Sequence, residues 1–142
     1  MRTASAVALA LLLGYAGAVK VADPDAFALA VGNYHLLPRV TLTPIGYFLP
    51  ALEVVAALAL LTPPLRQAGW LLSSVLFSCF GLAVGSALAR GIDVSCGCFG
   101  QAMDVSWLHL VGNLALVGLC LWQARYDLKD QEPSGNPTPS TP

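Results

Sequence analysis

The chain has 142 residues, 56% of them hydrophobic and only 11% charged, where a soluble domain usually carries about 25% charged residues. Its net charge is −1 with no basic cluster, which gives no reason to propose a nucleic-acid partner. Four cysteines, unevenly placed, are too few for a small secreted disulfide scaffold.

Four nearly uncharged stretches follow in chain order: residues 3–19, 42–61, 67–89 and 105–124. Each approaches the roughly 20 residues that a helix needs to cross about 30 Å of hydrocarbon. Lipid cannot satisfy open backbone groups, so helices are the expected spans. The sequence therefore predicts an all-α fold, a bundle of four transmembrane helices. The first stretch also fits a cleavable secretory signal, with Arg2, an Ala/Leu-rich run and Ala16-Gly17-Ala18. Cleavage would leave three spans.

Between the first two spans, Asp23-Pro24 reads as a helix start: an aspartate cap with proline in the first turn. Phe27, Ala28, Val31, Tyr34 and Leu37 follow at roughly helical spacing, up to Pro38. This predicts a short amphipathic helix at the membrane interface. Thr62-Pro63-Pro64-Leu65-Arg66 is expected to be a tight turn, because paired prolines cannot continue a helix. The membrane domain is assigned to residues 1–125, and the Pro/Ser/Thr-rich residues 126–142 are expected to be a disordered polar tail.

Four spans put both termini on one side. Arg2, Arg66, Arg125 and Lys129 would lie there, with Lys20, Arg39 and Arg90 opposite. That is a slight bias toward a cytoplasmic N-terminus. The connection from Arg90 to Asp104 would then lie outside, where disulfides persist.

This connection holds Cys96-Gly97-Cys98-Phe99-Gly100. An extended i, i+2 pair spans nearly 7 Å between Cα atoms, whereas a relaxed disulfide prefers about 5.5–6 Å. The backbone must bend, and Gly97 allows the widest choice of bend. A disulfide in so small a ring is expected to be strained, and strained, exposed disulfides are the labile and catalytic kind. Cys96 and Cys98 are therefore the candidate redox pair, with Gly97, Phe99 and Gly100 shaping their loop. Cys79 and Cys120 are expected to be small apolar core residues, out of reach of the pair. With no second loop pair, the exchange partner would be another protein. A metal reading, copper(I) or zinc, lacks a full ligand set, though His35 and His109 could add nitrogen donors.

Two further residues stand out. Glu53 lies inside the second span, where an acid is costly; it is either functional or hydrogen-bonded to a neighbouring helix. His109 lies about one turn into the fourth span, with Asn113 four residues on and on the same face. His109 would lower a thiol pKa if it approached the pair; alternatively it is an interface histidine.

The chain resembles the methylamine utilisation protein MauE family, within the DoxX-like group of four-helix membrane proteins. The resemblance covers most of residues 14–122. It rests on Gly17-Ala18-Val19-Lys20, Tyr34-His35-Leu36-Leu37-Pro38, Pro50-Ala51-Leu52-Glu53, Gly91-Ile92-Asp93-Val94-Ser95-Cys96-Gly97-Cys98-Phe99-Gly100, Val105-Ser106-Trp107 and Asn113. It implies four spans with an uncleaved first helix. It also implies a part in maturing extracytoplasmic proteins beside a thioredoxin-like partner, the family's named member being associated with the disulfide-rich small subunit of methylamine dehydrogenase. The expected activity is thiol–disulfide exchange. The alternatives are a non-enzymatic scaffold for the maturation partner, or metal handling. A quinone between the helices as electron acceptor is analogy with quinone-linked thiol oxidases, without a motif of its own.

Overall fold

The structure, a computed structural model, describes residues 2–92 and 107–131. Its elements are α1 (Arg2–Ala22), α2 (Pro24–Asn33), α3 (Leu42–Leu61), α4 (Arg66–Ala89) and α5 (Trp107–Gln131), with single 3-10 turns at Arg39–Thr41 and Pro63–Leu65. There is no strand among the described residues. The helices α1, α3, α4 and α5 are long and apolar enough to cross a membrane. The four-span all-α reading therefore stands, with a short helix in the first connection.

The helices pack in a chain of neighbours: α1 on α3, α3 on α4, α4 on α5, with α2 against α3. Hydrocarbon offers no hydrophobic drive between helices, so close packing depends on small residues. Ala6, Ala10 and Ala16 of α1 are buried, as are Ala56 and Ala57 of α3. Trp70 and Leu76 of α4 and Cys120 of α5 complete the core. At the far end of α5, Gln123 donates to Ser5 Oγ of α1 at 2.6 Å.

The turns follow their sequence signals. Asp23 Oδ1 accepts from the Ala26 amide at 3.0 Å, with Pro24 opening α2. The helix is shorter than the apolar spacing suggested. It ends at Asn33, and His35 takes a positive φ of 50°, so Tyr34 and Leu37 lie beyond it. Tyr34 is buried all the same, and burial pushes its phenol above the usual range. Its carbonyl accepts from the Arg90 guanidinium at the end of α4, which ties the first connection to the end of α4. After Thr62, the Pro63–Leu65 turn reverses the chain. The turn brings Gly69 so near α3 that an added Cβ would lie 2.7 Å from the Leu60 nitrogen.

Cys120 is buried, as expected. Cys79 corrects the expectation. It lies on an exposed face of α4 and lines an apolar cleft of about 630 Å³ with Phe27, Tyr34 and Leu37. Seven residues before Cys79, the periodicity of α4 turns Leu72 only partly inward, whereas Ser73, Ser74, Leu76 and Phe77 carry the buried stripe.

Candidate functional site

Lys20 and Glu53 form a buried ion pair between α1 and α3. Lys20 stands at the last turn of α1 and Glu53 midway along α3. Lys20 Nζ donates to Glu53 Oε1 at 2.6 Å, with the two side chains 3% and 1% exposed. The glycine of Gly17-Ala18-Val19-Lys20 makes this approach possible. A Cβ on Gly17 would lie 2.9 Å from Val54 Cγ2 and 3.2 Å from Glu53 Cβ.

The ammonium is also enclosed by aromatic rings. Lys20 Nζ lies 5.1 Å from the ring centre of Phe27 on α2 and 4.8 Å from that of Phe80 on α4. Both distances suit a cation–π contact, which strengthens when the site is desolvated. One lysine thus joins four helices around a single charge. Glu53 is less well served. Its second oxygen, Oε2, is buried and has no hydrogen-bond partner among the described residues.

The pair borders a pocket of about 320 Å³. Leu12, Leu13 and Ala16 of α1 form one side; Leu108, His109, Gly112, Asn113 and Leu116 of α5 form the other; Phe77 and Phe80 of α4 close it. The wall is mostly apolar, and α5 brings its polar residues in on one turn. Asn113 Nδ2 donates to the His109 carbonyl at 2.9 Å, so these two share a face as their spacing suggested. Glu53 and His109, singled out separately in the sequence, therefore line one cavity.

Cys96, Gly97, Cys98, Phe99 and Gly100 lie outside the described residues. The described chain leaves α4 at Ile92 and resumes at Trp107, two residues before His109. Among the described residues, no group of three or more His, Cys, Asp or Glu could hold a metal ion.

Lys20, like Cys79, is a residue that sequence reasoning placed wrongly. It was counted among the loop charges, yet it is buried. The signal was available: an acid within an apolar span calls for a partner, and Lys20 ends the neighbouring span three residues after Gly17. Its burial also changes the loop count, leaving only Arg39 and Arg90 opposite the four basic residues on the terminal side.

The chain matches the family of methylamine utilisation protein MauE over residues 1–125. It is 34% identical over 125 residues to the methylamine utilization protein MauE of Methylophilus methylotrophus, covering 85% of this chain and 66% of that protein. With the protein of the same name from Paracoccus denitrificans it shares 32% over 116 residues, covering 80% and 62%. With that from Methylorubrum extorquens it shares 36% over 116 residues, covering 80% and 61%. The match thus spans a little under two thirds of these relatives' length. No solved structure gives a significant match. The extent of the family match and the identity to several named relatives together establish that this chain belongs to the MauE family.

Proposed function

We propose that this chain is a multi-pass membrane component of extracytoplasmic protein maturation, acting by thiol–disulfide exchange through Cys96 and Cys98. The single observation that carries the reading is the Cys96-Gly97-Cys98 spacing between two membrane-spanning helices. Family membership adds support for a place in methylamine utilisation, with methylamine dehydrogenase-type proteins as the clients.

In the exchange, one thiolate of the pair attacks a disulfide on a thioredoxin-like partner. The partner's S–S bond breaks, a mixed disulfide forms, and the departing partner sulfur takes up a proton. The second cysteine of the pair then loses its proton and attacks the mixed disulfide. Cys96 and Cys98 end as a disulfide and the partner as a dithiol; the reverse run oxidises the partner. Gly97 and Gly100 give the loop its bend, and Phe99 anchors it at the interface. His109, two residues into α5, favours the thiolate if it comes within reach. The loop faces outward in this reading, which the burial of Lys20 supports. With that charge removed from the loop count, the basic excess on the terminal side grows.

The test is a pair of single variants, Cys98→Ser and Cys96→Ser, recovered from cells without reductant. One of the two should accumulate a reducible adduct with a thioredoxin-like protein. No adduct with either, with client maturation intact, would favour a static scaffold. Metal bound to the wild type and lost in both variants would favour copper or zinc handling.

A further inference from the structure

The cleft that Cys79 lines is a separate feature of the fold, and neither Lys20 nor Glu53 borders it. Its walls come from three elements: Phe27 and Tyr34 from the first connection, Phe48 and Leu49 from α3, Cys79 and Ser86 from α4. At about 630 Å³ it falls within the range of ligand pockets, roughly 300 to 1,000 Å³. Phe48 and Cys79 stand well inside two helices long and apolar enough to cross a membrane. Water needs two to four polar partners to settle in a cavity, and these walls are almost wholly apolar. The hydroxyl of Ser86 is already spent on the Ala83 carbonyl at 2.8 Å. What fills such a cleft comes from the bilayer.

The edge of the cleft has a different chemistry. Arg90 follows Ser86 by one turn, on the same face of the chain. Its Nε donates to the Ser86 carbonyl at 3.1 Å, and Nη2 donates to the Tyr34 carbonyl. Ser86 and Tyr34 both line the cleft, so the guanidinium is fixed at its rim, between two of its walls. Arg90 is nonetheless exposed, and its Nη1 has no partner among the described residues. From Ser86 down to Cys79 is two turns of α4, about 10 Å at 1.5 Å per residue. The cleft is thus a slot running into the apolar layer with a held cation at its mouth. A phospholipid carries the complementary pattern: a phosphate, which the guanidinium fork suits, above a long apolar chain.

We propose that the cleft between α2, α3 and α4 is a phospholipid site, in which one acyl chain fills the cleft and the phosphate binds Arg90. This is a binding proposal and does not depend on the exchange chemistry of the cysteines.

The test uses the full chain, purified in detergent, stripped of lipid and followed by native mass spectrometry. The probes are dioleoyl phosphatidylglycerol and dioleoylglycerol, which share their chains and differ in the phosphate headgroup. One phosphatidylglycerol should bind per chain, and dioleoylglycerol at least about tenfold more weakly, as expected for the loss of a charge-assisted contact. Arg90→Gln should weaken phosphatidylglycerol about tenfold or more and leave dioleoylglycerol unchanged. Cys79→Trp fills the cleft from an exposed position, so it should spare the fold and weaken both lipids. Absence of a one-to-one adduct, or equal binding of the two lipids, would overturn the proposal. So would phosphatidylglycerol binding that ignores either variant, which would mark an unspecific lipid coat. Equal losses of both lipids in Arg90→Gln would also overturn it, because Arg90 would then shape the cleft without holding a phosphate.

Discussion

The α1–α3 and α4–α5 interfaces are both built on glycines, yet the glycines do different work. On α1, an added Cβ at Gly17 would come within 2.9 Å of Val54 and 3.1 Å of the Pro50 carbonyl oxygen. On α4, an added Cβ at Gly81 or Gly85 would meet its α5 neighbours at 3.5 and 3.6 Å, an ordinary contact. Gly112 on α5 has nothing within 4 Å. The first interface is closed tightly around an ion pair. The second leaves one wall of a pocket with room to change. Along α1 the close approach falls beside the ion pair, since an added Cβ at Gly14 would meet only Ala57 Cβ at 3.8 Å.

The largest effect should come from opening that seal. Removing one partner of a buried pair leaves an uncompensated charge and costs about 3–5 kcal/mol. Lys20→Met should show this loss in denaturant unfolding of the detergent-solubilised protein. Lys20→Met combined with Glu53→Leu should recover most of it. A double variant as unstable as the single one would mean that the pair itself, and not the stranded acid, supplies the stability.

Gly17→Ala should come next. The new methyl group forces α1 away from α3, and overpacking of this kind costs about 1–3 kcal/mol. The same substitution at Gly112 should be neutral or stabilising by up to about 1 kcal/mol, since alanine is the better helix former. Equal losses at both positions would erase the contrast between the interfaces. Arg90→Ala, which removes the guanidinium from the Tyr34 carbonyl, should cost about 1 kcal/mol. Its clearer sign should be faster amide exchange around Tyr34 with the α1–α3 interface unaffected.

Much of the fold was legible because lipid makes the rules severe. Spans had to be helices of sufficient length, and the expected 42–61 stretch coincides with α3. The Asp23-Pro24 start and the Pro63–Leu65 turn were written in residues with few other uses. The end of α2 was not, because the apolar spacing continues past Asn33 while His35 adopts a backbone conformation that no local pattern announces. Glu53 and His109 stood out singly by their chemistry. Their meeting in one pocket depends on how α5 lies across α4, a tertiary fact that spacing along one helix does not contain. Lys20 was misplaced for a related reason: a charge at the end of a span reads as a loop residue until its partner on another helix is known. Cys79 reads as core by residue type, yet helix phase places it on the exposed side.

The central claim concerns the cysteine pair, and its most direct test is the redox state of Cys96 and Cys98 in intact cells. A membrane-impermeant thiol reagent is applied with and without prior mild reduction, using a chain in which Cys79 and Cys120 are replaced by alanine. Labelling only after reduction is the predicted result, and it would mean an outward-facing pair held as a disulfide. Absence of labelling under both conditions would place the pair inside or out of reach, and would contradict both the orientation and the exchange chemistry.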